Sequence, residues 1–195
     1  MKNIIIFGAP GSGKGTYSAA IQERFGMGHI STGDVLRAEI KNGTPLGKTA
    51  KGYIDQGQLI PDELMIDILA AQYDSMPPGK GVIFDGFPRT IPQAEALKKM
   101  LCERGHELGM MIELIVDEDV LMERLLRRAK LEGREDDNEA TIKKRFDVYH
   151  NQTAPLSAWF EQEGIRHCFS WAICKTKEGM IEAICDAIEK ENGLK

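Results

Sequence analysis

Apolar residues fall in five short runs, and the stretches between them repeat at helical spacing. The runs are Asn3 to Phe7, a short one near His29-Ile30, Gly81 to Phe84, Met110 to Val116, and Arg166 to Trp171. Three of these are continuous apolar runs, the pattern of strands buried on both faces. The intervening periodicity predicts helices over 14–25, 34–41, 61–74, 92–104, 118–129, 138–151 and 177–190. Strands alternating with helices predict an α/β fold, a parallel sheet flanked by helices in three layers. No repeat or low-complexity tract interrupts the alternation.

Two stretches depart from that rhythm. About fifty residues of helical, polar character with several glycines separate His29 from the run at Gly81, too long for a bare connection. They predict a small helical lobe over 31–60. The other stretch, Ala129 to Asp137, is charged and without apolar periodicity. It predicts a short mobile loop, with a lid spanning 127–138. Both read as inserts in one domain, 1–195.

Composition narrows the classes. With 195 residues, 42% of them apolar, the chain can bury one good core plus small appended lobes. A net charge of −5 makes nucleic acid a poor partner, since sequence-independent binding rests on clustered positive charge. The start Met-Lys-Asn-Ile-Ile-Ile lacks the flanks of a signal peptide and no apolar run approaches a membrane span, so the chain reads as cytoplasmic, without a membrane partner. Cys102, Cys168, Cys174 and Cys185 form no C-x-x-C pair and read as small buried hydrophobes kept reduced. His29, His106, His150 and His167 show no metal-ligand spacing.

The first candidate for chemistry follows the first strand: Gly8-Ala9-Pro10-Gly11-Ser12-Gly13-Lys14-Gly15-Thr16. Glycines let successive backbone N–H groups turn inward on an anion, Lys14 adds a charge, and the helix that follows adds its positive end. Such a phosphate loop is expected to hold a nucleoside triphosphate through Gly11, Ser12, Gly13, Lys14, Gly15 and Thr16. Gly15 stands where a hydroxyl is usual, and the hydroxyl comes one residue later at Thr16.

Three further strings follow in order. Ser31-Thr32-Gly33-Asp34-Val35-Leu36-Arg37 opens the lobe, where helix capping alone accounts for the hydroxyls and the acid. Val82-Ile83-Phe84-Asp85-Gly86-Phe87-Pro88-Arg89-Thr90 puts Asp85 at the carboxyl edge of the sheet, placed to orient magnesium-bound water, and puts a phosphate-matching fork at Arg89. Arg124, Arg128, Arg134 and Arg145 flank the unpatterned loop, although exposed arginines are usually a solvated face.

Together these strings resemble the nucleoside monophosphate kinases, and the short-lid adenylate kinases in particular. The G-K-G-T form of the loop, S-T-G-D-V-L-R, D-G-F-P-R, R-L-L-x-R and G-R-x-D-D-N run in order from Asn3 to about Gly164. The resemblance implies phosphoryl transfer from MgATP to AMP giving two ADP, by a monomer with ATP, AMP and ADP as its partners. It implies that Thr32 meets the acceptor adenine, that Gln93 pairs with its edge, and that Arg37 and Arg89 hold its phosphate. Gln58, Leu59 and Ile60, with Gly86, Phe87 and Pro88, would border the acceptor. Lys14, Arg89, Arg124, Arg128, Arg134 and Arg145 would act on the group in flight, Arg128 also on ATP and Arg134 and Arg145 also on AMP. Asp136 and Asp137 would orient arginines, although a helix N-terminal cap explains them almost as well. Magnesium would arrive with ATP. No structural zinc is expected, because the lid has no cysteine. Where relatives carry a glycine-containing turn beside the donor adenine, this chain has Ser170-Trp171-Ala172-Ile173-Cys174. No donor-base contact is assigned there, and Trp171 is read as packing. A UMP/CMP kinase would share the loop and the arginines, and a nucleotide-binding switch would share the loop alone.

Overall fold

The computed structural model describes residues 1–194. Its elements alternate as β1 (Asn3–Gly8), α1 (Lys14–Phe25), β2 (Gly28–Ser31), α2 (Thr32–Lys41), α3 (Pro45–Asp55), α4 (Asp62–Asp74), β3 (Val82–Asp85) and α5 (Ile91–Glu103). The second half continues with β4 (Leu108–Ile115), α6 (Glu118–Glu132), α7 (Glu139–Val148), α8 (Pro155–Gln162), β5 (Arg166–Ser170), α9 (Trp171–Cys174) and α10 (Lys177–Glu191). The five strands form one sheet in the order β2-β3-β1-β4-β5. Every pairing is parallel, with Ile5 opposite Phe84 on one side and Met111 on the other. The sheet thus has the α/β architecture that the apolar runs predict.

Strand alternation divides the core into two layers. Ile4, Ile6, Ile83, Met110 and Ile112 face Tyr17 and Ile21 of α1 and Met180, Ile184 and Ile188 of α10. Ile5, Phe7, Phe84 and Met111 face Leu69 of α4, Leu97 and Leu101 of α5, and Leu156 and Phe160 of α8. Each fully buried side chain of this size contributes roughly 1.5–3 kcal/mol, so these layers rather than the surface ion pairs hold the frame. A third cluster, Leu121, Leu125, Ile142 and Phe146, joins α6 to α7 and reaches Ala9 of the phosphate loop. That contact ties the loop to the arginine-bearing helices.

Several boundaries differ from expectation. The charged stretch after Arg128 is not a loop throughout: α6 continues to Glu132 and stops at Gly133, whose φ of 65 makes the left-handed cap. Alanine, lysine, leucine and glutamate sustain that last turn by propensity. Leu131 is 78% exposed, with no core to impose periodicity. The helix expected over 138–151 ends at Val148 and widens into a π turn over Tyr149–Thr153, closed by Ala154 N–H donating to the Tyr149 carbonyl at 2.7 Å. Pro155 then starts α8, an element the sequence reading did not separate. Likewise α3 stands as its own helix, capped by the Thr44 hydroxyl with Pro45 in its first turn. Strand β5 stops at Ser170, and Trp171 begins a short helical turn that ends at Lys175 with φ 60. Among the cysteines only Cys185 is buried; Cys102 and Cys168 are exposed and Cys174 is intermediate. No helix among the described residues is long and apolar enough to cross a membrane.

Candidate active site

Strand β1 sits where the chain order along the sheet reverses, the place where a crevice opens at the carboxyl ends of parallel strands. The loop after Gly8 turns there with Gly11 at φ 84 and Gly13 at φ 97, left-handed conformations that glycine adopts without steric cost. A Cβ on Gly11 would lie 2.9 Å from Leu125 Cγ, so this glycine also permits the close approach of α6. Gly13 caps α1 without a side-chain hydrogen bond, leaving the helix start as backbone N–H groups and a positive dipole end.

The crevice is a cavity of about 730 Å³. Its wall includes Gly11, Gly13, Lys14, Gly15, Thr16, Asp85, Pro88, Arg124, Arg128 and Arg134. A narrower cavity beside it is lined by Thr32, Gln58, Ile60 and Gln93. Arg37, Leu59, Gly86, Phe87, Arg89 and Arg145 line both. The two spaces therefore meet at a wall carrying three arginines, the arrangement needed where two phosphate chains approach head to head. Among the predicted residues Ser12 and Asp137 lie behind the lining, Ser12 buried with its hydroxyl unpartnered among the described residues.

Burial of so much positive charge shifts its titration. Lys14 Nζ donates to the carbonyls of Gly8 at 2.8 Å and Ala9 at 3.1 Å. Burial pushes its ammonium down to about 8, helped by Arg89, Arg145 and Arg128 and opposed by Asp85. Burial likewise pushes Arg89 down to about 10, with the nearby Arg145 adding to it. An anion entering the cavity would reverse both shifts. Arg89 Nε donates to the Gly86 carbonyl at 2.7 Å, which aims the rest of its fork into the shared space.

Two of the arginines that flank the charged stretch, Arg128 and Arg145, are held by two carboxylates. Asp137 accepts from Arg128 Nε at 2.6 Å and Nη2 at 2.8 Å, and from Arg145 Nη1 at 2.7 Å. Asp136 accepts from Arg145 Nη1 at 3.0 Å. Burial alone would raise the Asp137 pKa, but the hydrogen bonds and charges of these arginines outweigh it and hold the carboxyl below its ordinary range. The cap of α7 is Asn138, whose side chain accepts from Thr141 N–H, so the two aspartates serve the arginines and not the helix. Arg134 pairs with Glu132 at 2.7 Å, and Arg37 with Asp34 at 2.5 Å.

Other residues around the site carried no sequence signal. Tyr17, Arg127, Tyr149 and Lys177 line the larger cavity. Trp171 lines it too, with the Arg124 guanidinium 4.6 Å from its ring centroid, while its inner side packs on the layer of α1 and α10. The packing role read from sequence is thus only half of its surroundings. Asp85 faces the cavity with a hard carboxylate oxygen and Thr16 lines it with a hydroxyl, donors of the kind magnesium accepts while keeping its own waters. Asp85 Oδ2 is also 3.5 Å from His29 Nε2.

Comparison with known proteins points to one family. The family model described as adenylate kinase matches residues 6–165. The adenylate kinase of Bacteroides thetaiotaomicron is 64% identical over 191 residues, covering 97% of this chain and 100% of that one. That of Phocaeicola vulgatus is 70% identical over 164 residues, covering 84% and 87%, and that of Porphyromonas gingivalis 52% identical over 167 residues, covering 86% of each.

Proposed function

The chain belongs to the adenylate kinase family, a family of nucleotide phosphoryl-transfer enzymes, and on that premise we propose that it moves the terminal phosphoryl group reversibly from MgATP to AMP, giving two ADP. The observation that carries this reading is the pair of cavities sharing Arg37, Arg89 and Arg145. A switch that only binds one nucleotide has no use for a second, polar-ended cavity beyond its phosphates.

Phosphoryl transfer asks the protein for positioning and charge neutralisation more than for covalent work. The phosphate loop and Lys14 hold the donor phosphates. Arg37 and Arg89 hold the acceptor phosphate, whose oxygen is already anionic and needs no general base. Arg124, Arg128, Arg134 and Arg145 surround the group in flight, the second and fourth aimed by Asp136 and Asp137. Asp85 would orient the water shell of the magnesium that accompanies ATP, which would supply neutralisation of the donor charge. Thr32 and Gln93 face the acceptor base, bordered by Gln58 to Ile60. The lobe at 31–60 and the lid at 127–138 close over the substrates and exclude water, the competing acceptor. Lys51 of the lobe already lies 3.6 Å from Glu135 of the lid, which supports their approach. One chain lines both cavities, which supports action as a monomer.

Calorimetric titration tests the two-site reading. AMP binds the free protein, and Arg37→Ala weakens AMP at least tenfold, the worth of one charged hydrogen bond of about 1.5–3 kcal/mol, while MgATP binding is unchanged. Equal loss of both nucleotides, or of neither, contradicts the assignment.

The lowered Lys14 pKa gives a second expectation. Donor phosphates stabilise the ammonium, so its pKa is higher in the complex than the value of about 8 in the free protein. Donor binding therefore takes up protons above about pH 8, and affinity declines as the pH rises further. Titrations near pH 8.5 in buffers of different ionisation heat measure the uptake, expected as roughly half a proton or more per donor bound. Lys14→Arg, charged throughout, abolishes it. Absence of uptake in the unaltered protein would contradict the half-buried, partly neutral Lys14.

A further inference from the structure

We propose that Asp62 sets the base specificity of the acceptor site by holding the side-chain amide of Gln93 in one of its two orientations. The inference rests on the placement of the acceptor base at Gln93. That side chain is 2% exposed and lines the narrower cavity, whereas Asp62 stands behind it, outside the lining. Gln93 Nε2 donates to Asp62 Oδ1 at 2.5 Å. Gln93 Oε1 accepts the Arg89 backbone N–H at 2.7 Å. The Thr90 hydroxyl donates to Asp62 Oδ2 at 3.4 Å and accepts the Gln93 backbone N–H at 3.3 Å, closing a ring between the starts of α4 and α5.

Each contact admits one polarity. An ionised carboxylate only accepts, so it can hold only the amide nitrogen; a backbone N–H only donates, so it can hold only the amide oxygen. Gln93 therefore meets the base with one remaining N–H and one remaining oxygen lone pair in a fixed order. Adenine offers the complement along either of its edges, a ring nitrogen that accepts beside an N6–H that donates. A 6-oxopurine sets a carbonyl oxygen where adenine has the N6–H, against the Gln93 oxygen. A flipped amide would pair with that oxygen, and Asp62 opposes the flip by presenting two acceptors to each other. Asp62 is thus a positioning residue, acting on the base only through Gln93.

The test compares kcat/KM for AMP and inosine monophosphate, each with saturating MgATP, in Asp62→Asn and Gln93→Ala. Asparagine keeps the shape of Asp62 but can turn an N–H toward Gln93, so one of the two constraints on the amide is released while the Arg89 contact remains. The AMP-to-IMP preference is expected to fall about tenfold or more in Asp62→Asn, chiefly through KM, with saturated kcat for AMP little changed. Gln93→Ala collapses the preference, and adding Asp62→Asn to it has no further effect. A preference that moves in Gln93→Ala but stays within about twofold in Asp62→Asn overturns the role of Asp62 and leaves it a structural tie between two helices. A preference unmoved by Gln93→Ala overturns both that placement of the base and the role of Asp62. Should Asp62→Asn fail to fold, Asp62→Ser supplies the same comparison.

Discussion

UMP and CMP are expected to be phosphorylated by this protein with kcat/KM up to about 10⁴-fold below that for AMP. The discrimination rests on buried polar groups, since a site built to hydrogen-bond its substrate rejects one that leaves those groups unpaired far more strongly than an apolar pocket rejects the loss of a methylene, worth only about 1–3 kcal/mol. Gln93 and Thr32 are each 2% exposed, so whatever hydrogen-bonding capacity the base leaves unpaired there is also denied to water. Uracil presents the reversed order of carbonyl and N–H. Cytosine presents the same order as adenine but on a single ring, nearer the ribose, and so falls short of the amide. Steady-state rates with a panel of nucleoside monophosphates at saturating MgATP measure the ratios. Pyrimidine nucleotides used as efficiently as AMP would move the chain to another acceptor.

Replacing Arg89 by lysine is expected to lower kcat by about a hundredfold, or on the order of 3 kcal/mol, with a much smaller rise in the KM for AMP. Lysine retains the charge but presents no planar fork, so it can attract the acceptor phosphate without matching two of its oxygens as the phosphoryl group moves. Arg89 is half-buried, more enclosed than a solvated arginine at a phosphate site would be, and its Nε bond to the Gly86 carbonyl is lost in the variant. Stability is nevertheless expected to hold, because the position is only half-buried and the lysine stem fills the same space without leaving a cavity. Steady-state kinetics with thermal melting as the control separates the outcomes. Near-normal kcat, or simple unfolding, would make Arg89 a structural residue.

How much of this was legible in the sequence follows from which interactions act locally. Buried parallel strands are continuous apolar runs because both faces are covered, so β1, β3 and β4 stand out. The edge strand β5 is only partly buried along its length, and its end at Ser170 left no apolar mark. Helix α8 does not stand out in the sequence although Pro155 and the pair Leu156 and Phe160 at i and i+4 are its signature, because the preceding helix passes into it through a π turn without a break. The last turn of α6 reads as loop in the sequence because periodicity reports packing, and Leu131 is mostly exposed. Gly133 was the stop signal that could have placed the end correctly.

The candidate site was legible where one short string carries several of its groups, as in the phosphate loop and in Asp85 to Gln93. Contacts between distant strings were not. Nothing in Gly57-Gln58-Leu59-Ile60-Pro61-Asp62 announces that its final carboxylate meets Gln93, thirty-one positions away. The stacking of Arg124 on Trp171 likewise joins α6 to a turn that follows β5. In the sequence Asp136 and Asp137 fit capping as well as arginine orientation; in the structure Asn138 occupies the cap.

The central claim is that two nucleotides exchange a phosphoryl group between the two cavities, and the direct measurement is the product balance of ATP and AMP followed by phosphorus NMR with magnesium present. Two ADP should appear for each ATP consumed, the same mixture should be reached starting from ADP alone, and no ATP should be consumed when AMP is withheld. Release of inorganic phosphate at a rate indifferent to AMP, or ATP that stays intact in the presence of AMP, would contradict it.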